Sequence, residues 1–275
     1  MTSERIFLDA STASKILSAV EEGLKSIVIS LDLGISTTEV DLENRWDVEA
    51  LKKISLQEDS VYFLENGIYY QAAVSENHYY RLFVTESGKA PALLIDGVLM
   101  HRVKGMDPMH DAHMKAALCV RANSNILEVC TGLGYSTIAC LEKGAASVTT
   151  IEKDPNVLKI AQVNPWSRHL FSDERIEILE GDATLKIKEI DNNAFDGILH
   201  DPPRFSMGSE LYTSEFYEDL FRVLKSKGVL YHYVGSPGRR YKKRDVQKGV
   251  ISRLRKAGFR DVRRNAESLG VIALK

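Results

Sequence analysis

A chain of 275 residues, 44% hydrophobic and 27% charged, has the make-up of a folded globular protein with room for one large domain or two modest ones. It has no apolar run long enough to span a bilayer and no basic region leading into an apolar core, so cytoplasmic residence is the expectation. Cys119, Cys130 and Cys140 give neither a disulfide framework nor a metal-ligand spacing. The net charge of −2 conceals an asymmetry: residues 1–65 carry 13 acids against 6 bases, and residues 239–264 carry 12 Lys or Arg against two Asp. A basic end of this kind points to an anionic partner.

In chain order, Ser11 to Leu24 has helical periodicity. Residues 26–33 and 36–42 alternate apolar and polar side chains around a turn at Gly34. Val61 to Glu65 and Ile68 to Val74 flank Asn66-Gly67, a strong hairpin signal. Tyr79 to Thr85 and Ala92 to Val103, the latter folded at Asp96-Gly97, add antiparallel strand. Residues 1–104 thus read as a β-rich, mainly antiparallel domain, which would wall a substrate cleft or mediate a homodimer. Its density of tyrosines (Tyr62, Tyr69, Tyr70, Tyr79 and Tyr80) is what strands favour in any case. A helix from Met109 to Arg121, with Asp107 as N-cap and Pro108 as first residue, leads into a second domain, 105–275.

There the pattern changes. Asn125 to Val129 is a buried-strand run that breaks into a turn with glycines at Gly132 and Gly134, followed by helical spacing from Tyr135 to Lys143. Strand, glycine turn and helix form the nucleotide-side pocket of a doubly wound sheet. A second strand, Ser147 to Lys153, ends at Glu152, about 20 residues on, where such sites set an acid against ribose hydroxyls. The turn lacks the third glycine of a dinucleotide fingerprint and the lysine of a phosphate loop. A ribose without a pyrophosphate fits it, and S-adenosylmethionine is the common candidate. Arg175 to Asp182 is the third strand, Phe195 to Asp201 the fourth, Gly228 to Val234 the fifth and Gly270 to Leu274 the last. Helical spacing runs between them at Asp154 to Val163, Glu210 to Lys225 and Val246 to Ala257. This alternation implies a parallel sheet with functional residues at the C-terminal strand ends.

Residues 125–275 resemble a class I S-adenosylmethionine-dependent methyltransferase, including a terminal strand that matches that fold's reversed seventh strand. The fold class expected is α/β, a Rossmann-like core with an N-terminal β-rich domain. The resemblance implies that Gly132 and Gly134 line the methionine part of S-adenosyl-L-methionine, with Glu128, Thr131, Tyr135 and Ser136 around the same turn. It assigns Glu152, with Lys153, to the ribose and Asp182, with Ala183, to the adenine, and sets Asp201 beside the sulfur. The chain is also similar to the spermidine-synthase group of aminopropyltransferases, through the segment from Glu152 by Asp182 to Leu230 and through residues 92–98 with His110-Asp111 downstream. As a whole it resembles predicted archaeal-type methyltransferases related to those synthases.

Asp201-Pro-Pro-Arg-Phe-Ser206 separates the two chemistries. The synthases carry at this strand tip an acidic motif whose last Asp accepts a proton from the attacking amine; here Arg204 stands in that place, and a cation is no base. An acid followed by two prolines is instead a rigid loop that orients a planar amine, so Asp201, Pro202, Pro203 and Phe205 are the catalytic candidates. His110, Asp111, Arg204, Arg239, Arg240 and Lys242 are the acceptor-side candidates, the last three from a basic run suited to phosphates. The histidines near Asp107 lack a second cluster to complete a site, and no metal is expected. The expectation is methyl transfer to an RNA base or a small anionic molecule; the alternative is aminopropyl transfer to a polyamine.

Overall fold

The computed structural model describes residues 5–43, 46–235 and 246–275. These fall into two compact units, Met1–Pro108 with Asn156–Arg168, and Met109–Pro155 with His169–Lys275. Among the described residues no helix is long and apolar enough to cross a membrane.

The first unit contains β1 (Ile6–Leu8), α1 (Ala10–Glu21), β2 (Ser26–Ile29), β3 (Thr38–Asp41), α2 (Val48–Ser55), β4 (Tyr62–Glu65), β5 (Ile68–Gln71), β6 (Ala73–Ser75), β7 (Tyr79–Phe83), β8 (Ala92–Ile95) and β9 (Val98–Leu99). Its sheets, β1-β4-β5, β2-β3 and β6-β7-β8-β9, are antiparallel throughout. The β4–β5 and β8–β9 hairpins turn at Asn66-Gly67 and Asp96-Gly97, all four residues at positive φ, which matches the right-handed strand twist. Asp9 caps α1 by accepting the Thr12 N–H at 2.7 Å. Leu8, Ala13, Ile16 and Leu51 are fully buried in the core beneath. Two elements go beyond the sequence expectation: β1, which pairs with β4, and α2, which Asp47 caps. The segment 156–168 is held within this unit by Lys159 Nζ on Glu76 at 2.7 Å and by Trp166 Nε1, which donates to the Leu33 carbonyl at 3.1 Å.

The remaining elements are α3 (Pro108–Ala116), β10 (Asn125–Val129), α4 (Tyr135–Glu142), β11 (Ser147–Glu152), α5 (Pro155–Gln162), α6 (Arg168–Ser172), β12 (Ile176–Glu180), α7 (Ala183–Lys186), β13 (Phe195–His200), α8 (Ser214–Val223), β14 (Leu224–Tyr233), α9 (Val246–Lys256), β15 (Arg260–Asn265) and β16 (Gly270–Leu274). The strands form one sheet of order β12-β11-β10-β13-β14-β16-β15. Its first five strands are parallel, and β16 runs antiparallel between β14 and β15. The sheet is covered on both faces, so β10 and β13 are almost continuously buried. Gly197 in β13 is required by a close approach: a Cβ there would stand 2.4 Å from the Cys119 carbonyl oxygen.

Three expectations differ in detail. The helix at α3 stops at Ala116 rather than Arg121, and the helical stretch from 210 divides into a 3₁₀ turn, Ser209–Tyr212, and α8. β15 is an additional strand. Only Val262 of its six residues is buried, so its charged sequence carries no strand alternation. Chain order reverses between β10 and β13, and the parallel strands bring Val129, Glu152, Glu180, His200 and Tyr233 to one end of the sheet. This is the crevice where open α/β sheets take ligands.

Candidate active site

One half of the site grows from the tips of β10, β11 and β12. The chain leaves β10 through Cys130, Gly132 and Gly134, all at positive φ, and Gly134 starts α4. At Gly134 the φ of +76° favours glycine, and a Cβ would also crowd the Leu170 side chain at 2.6 Å; nothing lies within 4 Å of a Cβ at Gly132, so that backbone is open to approach. Glu152, buried at the tip of β11, fixes the turn. Its Oε2 accepts the Gly132 N–H and its Oε1 the Asp154 N–H, each at 3.0 Å. Burial raises its pKa. Beneath the turn, Glu128 is fully buried and accepts from the hydroxyls of Thr137 and, at 2.8 Å, Thr150. Thr150 receives in turn the hydroxyl of Thr131 at 2.7 Å. Burial pushes the Glu128 carboxyl up to about 7. Its Oε1 makes no hydrogen bond of normal geometry among the described residues, although Ser136 is near enough to ease its charge.

Asp182 caps α7, accepting from Thr184 N at 2.9 Å and Thr184 Oγ1 at 2.7 Å, and pairs with Lys153 Nζ at 2.9 Å. That lysine lowers the Asp182 pKa, although its own side chain is 64% exposed. Tyr135 and Ala183 are buried beside these groups.

The other half forms where β13 and β14 end. Asp201 follows β13, and its Oδ2 accepts from Lys115 Nζ at 2.7 Å. The same ammonium pairs with Asp111 one helical turn earlier on α3, at 2.8 Å, and lies 4.4 Å from the Tyr233 ring centroid. Lys115 and Asp111 are buried, and Asp201 keeps 21% of its side chain exposed. Burial alone would lower the Lys115 pKa; Asp201 and Asp111 outweigh it and hold the lysine charged well above its ordinary range. Pro202 and Pro203 continue from Asp201, and Tyr212 donates its hydroxyl to the Pro203 carbonyl at 2.9 Å. Phe205, 46% exposed, sets its ring against Tyr212 at 5.3 Å, with Arg204 and His110 exposed. Arg239, Arg240 and Lys242 lie outside the described residues.

Lys115 is absent from the residues that the motifs single out. Its one local signal is the four-residue spacing from Asp111; the third member of the triad is 86 residues away. A second unforeseen cluster lies behind Asp201. His200 and His232 are fully buried with ring centroids 4.3 Å apart, His200 Nε2 donating to the Leu211 carbonyl at 3.0 Å and His232 bonded to the Tyr217 hydroxyl at 2.9 Å. Burial pushes His200 down to about 3 and His232 well below its usual value, so both rings are neutral packing partners.

Both halves fall in residues 108–235, the stretch that matches a family described as conserved hypothetical protein 95. The uncharacterized protein MJ1233 of Methanocaldococcus jannaschii is 46% identical to this chain over 228 residues, which cover 82% of this chain and 77% of that protein. The chain belongs to the MJ1233 family. Outside it, a polyamine aminopropyltransferase of Sulfolobus acidocaldarius is 32% identical over 153 residues, 53% of this chain and half of that enzyme's length. A crystal structure of spermidine synthase in complex with the transition-state analogue AdoDATO shares the fold, with a TM-score of 0.60 at 20% identity over 73% of this chain and 71% of that one.

Proposed function

We propose that this chain is a transferase that moves an alkyl group from the sulfonium of an S-adenosyl donor to a nucleophilic acceptor. The observation that carries this reading is the convergence of the Gly132 turn, Glu152, Asp182 and Asp201 at the tips of β10, β11, β12 and β13, at one end of the sheet and on both sides of the β10/β13 reversal. The residues fit such a donor. Backbone at Gly132 is open to approach, and the carboxylates of Glu152 and Asp182 follow at the next two strand tips, where a ribose and a purine amine would be read. When bound, the donor supplies a carbon made electrophilic by the adjacent sulfonium. The protein's part is to hold that carbon and the acceptor in line, which is most of what such a transfer requires. Asp201, with the rigid prolines after it, offers the acceptor a hydrogen-bond partner at the partly exposed edge of the triad.

Two readings of the transferred group follow from different observations. Several relatives are named polyamine aminopropyltransferases, and they weigh toward aminopropyl transfer. The acceptor side weighs toward methyl transfer: exposed Arg204 follows the prolines, and Asp201 and Asp111 are already paired with Lys115. An anionic acceptor, RNA or a small molecule, suits Arg204 and the charge of residues 239–264.

The test offers S-adenosylmethionine and its decarboxylated form, both radiolabelled, in parallel with polyamine, RNA and metabolite fractions. Labelled polyamine from the decarboxylated donor establishes aminopropyl transfer, and product from S-adenosylmethionine alone establishes methyl transfer. If calorimetry finds no binding of either S-adenosylhomocysteine or methylthioadenosine, the transferase reading is overturned.

A further inference from the structure

We infer that Lys115 is a built-in occupant of the acceptor-side ammonium seat, and that it selects for acceptors with no cationic amine next to the reacting atom. The inference rests on the transferase reading only in putting the acceptor at Asp201.

Two carboxylates and an aromatic face around one point make a receptor for a primary ammonium ion. Asp111, Asp201 and Tyr233 form such a receptor, at 2.8, 2.7 and 4.4 Å from Lys115 Nζ. The ammonium they hold belongs to the chain itself. Asp111 and Lys115 are spaced one turn apart on α3, so the helix presents carboxylate and ammonium together before any ligand arrives. An ammonium tethered by its own backbone competes at an effective concentration that a free amine at cellular levels does not match. A polyamine would also have to displace a buried charge, leaving Lys115 desolvated without its partners. Asp201, the partly exposed carboxylate of the pair, thus meets the acceptor with its charge already shared. Arg204, exposed three residues on, adds a second positive charge on the same loop. A neutral nucleophile, or one carried on an anion, is compatible with this surface; an alkylammonium chain is not.

The experiment empties the seat. Lys115→Ala removes the equivalent of propylammonium, so that ion is the probe, with 1-propanol as the neutral control and spermidine as the polycation. Wild-type protein should show no saturable thermal shift or calorimetric heat with propylammonium or spermidine at millimolar concentrations. Lys115→Ala should melt lower and be restored saturably by propylammonium but not by propanol, with spermidine binding at least tenfold tighter than to wild type. Asp201→Asn in the same background should abolish that rescue. If Lys115→Ala does not fold, Asp111→Asn/Lys115→Met removes one charge of each sign and should fold without gaining an ammonium site. Wild-type turnover of spermidine, or a Lys115→Ala protein that folds but ignores propylammonium, overturns the inference. Binding of S-adenosylhomocysteine is measured on the same wild-type sample. Its absence would sink the transferase reading while leaving the ammonium seat to be judged by the rescue alone.

Discussion

The proposed donor side and the proposed acceptor side of the site both hold carboxylates out of full solvent, and they neutralise them by different means. Glu152 is held by backbone N–H groups and Glu128 by hydroxyls of α4 and β11, all neutral donors. Asp111 and Asp201 are held by a full cation. Neutral donors stabilise an anion without cancelling it, so Glu152 can still attract the hydroxyls of a diol. A fixed cation leaves much less charge for a ligand to read. On the proposed function, the same residue type would recognise on one side and is shielded on the other.

The comparison is put at risk most directly at Lys115. Lys115→Met leaves buried Asp111 and partly buried Asp201 with no counter-charge and should cost about 3–5 kcal/mol in urea unfolding. A loss below about 1 kcal/mol, the range of surface pairs, would mean that the triad is solvated and the contrast false. Next comes Glu152→Gln. Each Glu152 oxygen takes one N–H, and an amide has only one oxygen, so one of Gly132 and Asp154 would face an NH₂ group. S-adenosylhomocysteine should bind at least tenfold more weakly to this variant, about 1.4 kcal/mol; an unchanged calorimetric Kd would take Glu152 out of the donor site.

The smallest effect is read against pH. Glu128 titrates near 7 in the folded protein, above its ordinary 4.5. As pH rises the unfolded chain releases this proton first, so the folded state loses its advantage up to and just past 7. Between pH 6 and 8 that loss is about 1 kcal/mol. Glu128→Gln, which keeps an acceptor for both threonines, should flatten this part of the stability curve. Parallel curves for the two proteins would show that the Glu128 charge is already solvated.

The same division governs what could be read from the sequence. The donor side follows a spacing: a glycine turn, then an acid about 20 residues on and another at the next strand tip, each with one partner from its own loop and one from the strand tip before it. Such patterns are visible because the fold repeats them. The reversed strand β16 was legible from its unbroken apolar run, and the Asn66-Gly67 and Asp96-Gly97 hairpins from their turn residues. β15 was not, since at a sheet edge it buries one side chain and its arginines give no alternation. Lys115 was hidden for another reason: a lysine on a helix is usually solvated, and the group that makes this one different lies 86 residues away. His200 and His232 carry no sequence signal as a pair, and their burial makes them packing partners. Asp154 to Val163 reads as the helix after the second strand, yet residues 156–168 group with the N-terminal unit through Glu76 and Leu33, pairings that no spacing reveals.

The place of β16 sets an order of events in folding. β15 is made before β16, but in the sheet its neighbour among the described strands is β16 alone. It therefore has no ladder to join until the later strand has arrived and docked on β14, where Val229 faces Leu274, 45 positions along the chain. The five parallel strands can assemble while this edge waits, and the loop between β14 and β16 must close before β15 gains anything from pairing. β16 thus acts as a latch, and the last third of the sheet should be the slowest part to acquire hydrogen-exchange protection during refolding.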